Sequence, residues 1–327
     1  MKVLIIGAGA IGSIYGWALS NAGHKIVHFV RPGRASQFTD GLQIDMMDKR
    51  KGHKKYFNGI YKIKATEVID TTDSYDIVIV PVKHYSLEQT IKQIVPLTPN
   101  AGYVLLTHNW KGTSEIDKII EKDAYIYGDV QAGGSFQSKK LIATIYAIHL
   151  GSIENKQNKC LKKAELLFKS ADIKTTLQDN ILHYIWIQYA INGGGWPALV
   201  KAGSLRGILQ DRDLVKKTLF AIKECLSVVA ARGVDLTLYK NVTGIYINDS
   251  IMKHLLGMFG MYIVFRFSEY VRRNSAHSLS DPKEIKTFYY DLLNTGDELG
   301  VNMPVMDSFK ADMEKLATSI DSLKCSE

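Results

Sequence analysis

The 327-residue chain carries 46% hydrophobic and 23% charged residues, ordinary globular values that exclude a disordered or fibrous protein. Domains usually run about 100 to 200 residues, so this length predicts two cores. The net charge of +8 suits small anionic ligands drawn in by the field.

The charge is not arranged for nucleic acid. The densest basic run, Lys49-Arg50-Lys51-Gly52-His53-Lys54-Lys55, has no interleaved aromatic platform and no recognisable binding module around it. It reads as a solvated loop.

In chain order, residues 2–6 read as a buried strand, too short for a signal-peptide core. Gly7 to Gly12 form a glycine turn, Ile11–Ala22 a helix and Lys25–Val30 a second strand, completing one βαβ unit. Apolar runs at Asp76–Val82 and Tyr103–Thr107 follow, each with a helical pattern after it, Leu87–Ile94 and Ser114–Glu121. Strands alternating with helices predict a Rossmann-type, doubly wound parallel sheet. Past about residue 175 the texture becomes helical; Leu219, Ile222, Leu226 and Val229 repeat at helical spacing, and Gly233 sits where a C-cap belongs. The boundary is expected near residues 172–178, giving a Rossmann domain over 1–174 and an all-helical domain over 175–327.

Leu255–Phe265, about a dozen apolar residues, falls short of the roughly 20 needed to cross a bilayer and reads as a buried helix. Cys160, Cys225 and Cys325 lie far apart with no CxxC spacing, so neither a zinc site nor a disulfide framework is indicated. A cytoplasmic setting is expected, with no nucleic-acid or membrane partner.

Gly7-Ala8-Gly9-Ala10-Ile11-Gly12 matches GxGxxG between a strand and a helix. There the first glycine allows the tight turn, the second lets backbone approach a pyrophosphate, and the third lets the helix pack on the strand. The end of the second strand, where NAD-binding versions carry a carboxylate about 20 residues on, reads Phe29-Val30-Arg31-Pro32-Gly33-Arg34. Two guanidinium groups suit a 2′-phosphate, so NADPH is favoured over NADH.

With these residues in view, the sequence resembles the ketopantoate reductase family, which reduces 2-dehydropantoate to pantoate with NADPH, as in pantothenate biosynthesis. The likeness runs through the glycine turn and Arg31, then Ile79-Val80-Pro81-Val82-Lys83, similar to the family's strand ending in a lysine beside the cofactor. Where the family shows Gln-Asn-Gly, this chain has His108-Asn109-Trp110. The resemblance implies that Asn109 lies near the nicotinamide and substrate; read on its own, Asn109 is a turn residue. Late in the chain, Glu284-Ile285 and then Glu298-Leu299-Gly300-Val301-Asn302-Met303-Pro304 keep the family's spacing. The resemblance implies that Glu284 contacts the substrate or the catalytic lysine; read on its own, it is an acid in a helix's first turn.

The resemblance breaks in Trp186-Ile187-Gln188-Tyr189-Ala190-Ile191-Asn192. Trp186 and Asn192 match, but Gln188 stands where the family has its catalytic lysine. An amide donates a hydrogen bond to a carbonyl but delivers no proton. Gly193-Gly194-Gly195-Trp196-Pro197 should then interrupt the helix, which would make Lys201 a further candidate. The family's carboxylate-binding serine falls at Arg272, with Ser268, Ser275 and Ser278 nearby.

The expected activity is NADPH-dependent reduction of a small-molecule 2-oxo acid. Asn109, Asn192 and Glu284 would position it and Gln188 would polarise its carbonyl. Two readings stay open beside it: a reductase of the same fold acting on another carbonyl or imine, and a non-catalytic NADPH-binding sensor. The second domain leaves room for a homodimer.

Overall fold

The computed structural model describes residues 1–153, 158–247 and 281–316, with Glu269, Arg273 and Leu279 between. The chain divides into two compact units, Met1–Leu182 and His183–Glu327. The division lies past residues 172–178 because Lys174–Leu177 still pairs, in parallel, with the sheet of the first unit.

That sheet begins with β1 (Lys2–Ile6), α1 (Ala10–Asn21) and β2 (Lys25–Phe29). An antiparallel pair follows, β3 (Leu42–Asp48) and β4 (Lys55–Tyr61), then β5 (Ala65–Thr66), β6 (Ile77–Val80), α2 (His84–Ile94) and β7 (Gly102–Leu105). The unit closes with α3 (Ser114–Asp117), β8 (Tyr125–Gln137), β9 (Lys140–Gly151), α4 (Lys159–Ser170) and β10 (Lys174–Leu177). The strand order is β4-β3-β9-β8-β7-β6-β1-β2-β5, with β10 beside β9. β5, β2, β1, β6, β7 and β8 run parallel, so their carboxyl ends share one edge. From β1 the chain winds first toward β2 and later back through β6 and β7, and such a reversal is where α/β sheets bind ligands.

The Rossmann reading therefore holds, on a sheet that is mixed. The long β8–β9 hairpin and the β3–β4 pair, each formed by consecutive strands, add antiparallel pairs that the alternation of strand and helix does not predict. The helix expected over Ser114–Glu121 is only four residues, α3. Of the basic run, Arg50 is anchored instead of solvated: its guanidinium pairs with Asp48 at 2.8 Å and donates to the Ala171 carbonyl at 2.5 Å, with the Trp17 ring 5.2 Å away. Its hydrogen bonds, against the opposing effect of burial, hold the Asp48 carboxyl below its ordinary pKa.

The second unit is helical among the described residues: α5 (Ile181–Ala202), which starts at the boundary, α6 (Leu205–Gln210), α7 (Arg212–Ala231), α8 (Lys240–Ile247), α9 (Pro282–Leu299) and α10 (Pro304–Asp307). Here the sequence expectation fails, because α5 runs unbroken through Gly193-Gly194-Gly195 and Pro197. Three interior glycines and a proline oppose a helix by about 6 kcal/mol. Packing offsets this. A Cβ on Gly194 would stand 2.7 Å from the Ile222 Cα of α7, and one on Gly193 would collide with Leu292 of α9. The glycines let the helices approach, while Tyr189 stacks on Phe288 at 3.6 Å and Trp196 lies 4.6 Å from the same ring. Burial of Ile185, Ile187, Tyr189 and Leu199, worth about 1.5 to 3 kcal/mol for each large aliphatic, completes the compensation.

Leu255–Phe265, Arg272, Ser268, Ser275, Ser278 and Cys325 lie outside the described residues. No helix among the described residues is long and apolar enough to cross a membrane, and none of their side chains cluster as metal ligands.

Candidate functional site

The glycine turn leaves β1 with Gly7 at φ +89°, a conformation costly for any residue with a Cβ. Gly9 is the N-cap of α1, and no side chain caps that helix end. The third glycine is held by a close approach: a Cβ on Gly12 would sit 3.0 Å from the Gly7 carbonyl and 3.1 Å from Ile5. A Cβ on Gly9 would meet nothing within 4 Å. The amide-rich mouth of the turn, Gly7 to Gly12, thus opens beside Gly9, with the positive end of α1 behind it.

Beneath the turn lies a pair not anticipated from the motif. The ring of buried His28 in β2 meets the Gly7 carbonyl through Nδ1 at 2.9 Å and the Tyr61 hydroxyl through Nε2 at 3.0 Å. A carbonyl only accepts, so Nδ1 carries the proton and Nε2 accepts from Tyr61. Burial pushes the imidazole down to about 4, which keeps it neutral under the glycine turn. A histidine inside the otherwise apolar Lys25–Phe29 strand was the available signal.

At the end of β2, Arg31 and Arg34 are exposed, and the Arg34 N–H closes a turn on the Arg31 carbonyl at 3.1 Å. A carboxylate is present here after all, supplied by Glu67, just past β5. It accepts from the Ala35 N–H at 2.8 Å, and the backbone amides of Ala35, Gly33 and Arg34 hold its pKa below the ordinary value. Position along β2 could not reveal Glu67, which arrives by strand pairing.

Lys83, exposed, caps α2 immediately beyond β6. Beyond β7, Asn109 is buried; its amide donates to Tyr127 Oη at 2.8 Å and to the Gly112 carbonyl, and its Oδ1 accepts from the Lys111 N–H at 3.1 Å. The side chain is thus fully engaged in shaping its loop. Trp110 beside it is buried. Two features of this loop were not singled out from sequence. The buried Thr107 hydroxyl has no hydrogen-bond partner among the described residues, and His108 Nε2 lies 3.3 Å from Asp129 Oδ1 of β8. A separate cleft of about 360 Å³, lined by Asp117, Tyr125 and Tyr127 among others, holds none of the predicted residues.

In the second unit, Gln188 and Asn192 are half-buried on α5, four residues apart and so on one helical face. Glu284 is half-buried in the first turn of α9, where its N–H bonds the Asp281 N-cap at 3.0 Å. Its charge acts on Tyr189, next to Gln188, whose hydroxyl is raised first by burial and then by Asp291 and Glu284. Glu284 is therefore both a first-turn acid and a neighbour of the α5 motif. Trp186 packs under the Arg232 guanidinium at 3.6 Å, a structural use of the motif's tryptophan. Lys201 does not join Gln188: an unbroken helix separates them by about 20 Å, and Lys201 pairs with Asp312 at 3.7 Å.

Residues 3–154 match the family model described as ketopantoate reductase PanE/ApbA. The chain is 26% identical over 244 residues to the 2-dehydropantoate 2-reductase of Pyrococcus abyssi, covering 72% of this chain and 76% of that one. An uncharacterised oxidoreductase of Bacillus subtilis, YkpB, is 25% identical over 194 residues, 58% and 61% of the two chains. Among solved structures, a D-mandelate dehydrogenase in ternary complex with NADH and anilino(oxo)acetate superposes with a TM-score of 0.73 at 17% identity, over 98% of this chain and 99% of the other. The 2-dehydropantoate 2-reductase of Geobacter metallireducens does so at 0.70 and 17%, over 96% and 99%; these two likenesses establish the fold. On these matches residues 3–154 carry a domain described by the ketopantoate reductase family model, and the chain is similar to oxidoreductases of that kind.

Proposed function

We propose that this chain is an NADPH-dependent reductase of 2-oxo acids, with 2-dehydropantoate as the first candidate substrate. The observation that carries the reading is the Gly7–Gly12 turn, whose open side at Gly9 and rigid underside at His28 fit a pyrophosphate. The Thr107 hydroxyl, two residues past β7 and without a hydrogen-bond partner among the described residues, is a candidate contact for the nicotinamide half. When bound, that cofactor supplies the hydride. The protein's own residues orient the carbonyl and exclude water; in this reading Asn192, Gln188 and Glu284 bind the substrate's polar groups.

NADPH is supported by Arg31 and Arg34, two cations at the ribose end, against one carboxylate, Glu67, already occupied by backbone amides. Replacing both arginines with alanine is expected to lower kcat/KM for NADPH about 10- to 100-fold more than for NADH, since charge-assisted phosphate bonds contribute roughly 1.5 to 3 kcal/mol. An equal loss for both cofactors would remove the 2′-phosphate assignment.

A second reading, a reductase of a different carbonyl or imine, is favoured by Gln188 in place of the family's lysine and by the likeness to a D-mandelate dehydrogenase. The deciding experiment is the initial rate of NADPH oxidation with 2-dehydropantoate and, separately, an aryl 2-oxo acid, for the wild type and Gln188→Lys. Wild-type turnover of 2-dehydropantoate supports the first substrate. Turnover of the aryl acid alone supports the second reading. NADPH binding with no turnover by either protein would leave a binding role.

A further inference from the structure

We propose that His108, held by Asp129, is the general acid of this protein, in place of the lysine that Gln188 replaces. The inference rests on the reductase reading above and names the source of its proton.

The placement comes from the first unit alone. His108 lies three residues past β7, and in the β7–β8 register Leu105 stands beside Tyr127. Asp129 is therefore two residues farther along β8, at the same carboxyl edge as the glycine turn, Lys83 and Asn109. A dinucleotide held by the glycine turn, with its ribose end at β2, would direct its nicotinamide half toward the β6 and β7 ends of the sheet, where this loop lies. His108 is 30% exposed while Asp129 is 5% exposed, an accessible imidazole on a buried anchor. Both oxygens of that anchor are committed, Oδ1 to His108 Nε2 at 3.3 Å and Oδ2 to the Gln131 amide at 3.0 Å. Because a carboxylate only accepts, Nε2 carries a hydrogen and the ring orientation is set. The arrangement is that of a general acid steadied by a third group.

The step balances. Hydride adds to the substrate's carbonyl carbon as the C=O π pair moves onto oxygen. That oxygen takes the proton from Nδ1 of the His108 imidazolium and becomes a hydroxyl. The neutral ring keeps its Nε2–H on Asp129 and regains a proton from water, so the carbonyl is reduced and the dihydronicotinamide oxidised. Among the described residues, His149 faces Asp129 from β9 and Tyr127 precedes it by two residues on β8. His149 is held below its ordinary pKa first by burial, with Asp129 acting in the other direction. Tyr127, which Asn109 contacts, is raised by burial.

The test uses His108→Gln, the residue the family shows at this place, with Asp129→Asn and His149→Gln beside it. His108→Gln is expected to lower kcat about 10²- to 10⁴-fold, the usual contribution of a general acid, with the Kd for NADPH, read by fluorescence, within twofold. An acid must be protonated to act, so a high-pH limb in the wild-type kcat profile is expected to depend on His108. That limb disappears in His108→Gln and persists in His149→Gln. The readout independent of turnover is ¹⁵N NMR of the His108 ring, where Nε2 stays protonated across the titration and loses that preference in Asp129→Asn. Turnover by His108→Gln within fivefold of wild type, with the limb intact, overturns the acid and leaves the reductase. An Nε2 signal that Asp129→Asn does not change overturns the pairing. A wild type that oxidises NADPH with no 2-oxo acid overturns the reductase reading and the acid with it.

Discussion

Gly9→Val is expected to raise the Kd for NADPH about 100-fold while thermal unfolding stays within about 4 °C of wild type. The backbone at Gly9 is extended, φ −71° and ψ −179°, a region open to valine. Its Cβ would touch no protein atom within 4 Å. Folding therefore loses little, about 1 kcal/mol or less for a poorer N-cap, which moves Tm by no more than about 4 °C in a protein of this size. The isopropyl group would instead stand where backbone must approach the pyrophosphate, and losing one or two charge-assisted hydrogen bonds there, about 3 kcal/mol in all, lowers affinity on the order of 100-fold. Titration of protein fluorescence with NADPH measures the first quantity and calorimetry the second. Unchanged affinity would move the phosphate site away from this turn.

The second large effect is on stability and turns on a sign. Gly194→Ala is expected to destabilise the helical unit by about 1 to 3 kcal/mol, the usual cost of overpacking, whereas Gly195→Ala should stabilise it by about 0.5 to 1 kcal/mol. Both exchanges gain the same helix propensity. They differ in what the new methyl meets. At Gly194 it would stand 2.7 Å and 2.8 Å from the Ile222 Cα and N, backbone atoms that cannot rotate away. At Gly195 the nearest atom is the tip of the Ile222 side chain at 4.0 Å. Urea unfolding of the two variants reads the difference directly. Stabilisation by both would show that α5 and α7 do not pack this closely.

The candidate site was legible in unequal parts. The glycine turn announced itself because its three glycines serve three local demands within six residues. Arg31 and Lys83 followed from the ends of recognisable strands. His28, Glu67 and the His108–Asp129 pair were not visible, since each meets a partner brought to it by the folded sheet from about 20 to 30 residues away along the chain. The amide of Asn109 serves its own loop through Tyr127 and Gly112, a role that residue type and position do not record. The broken helix at Gly193–Pro197 was a failure of local propensity applied without its neighbours.

By itself the sequence determined the alternation of strand and helix in the first unit, the glycine turn between β1 and α1, the helical texture of the second, and the presence of Gln188 where the resembled family has a lysine. These depend on interactions within a few residues, which periodicity and residue type record. Tertiary structure alone decided that the sheet is mixed, that α5 is continuous, that a carboxylate meets the arginine turn, and that an imidazole and a buried carboxylate share the edge beside Asn109. Those outcomes belong to contacts between distant segments, where burial and close packing outweigh the preferences of any short stretch of chain.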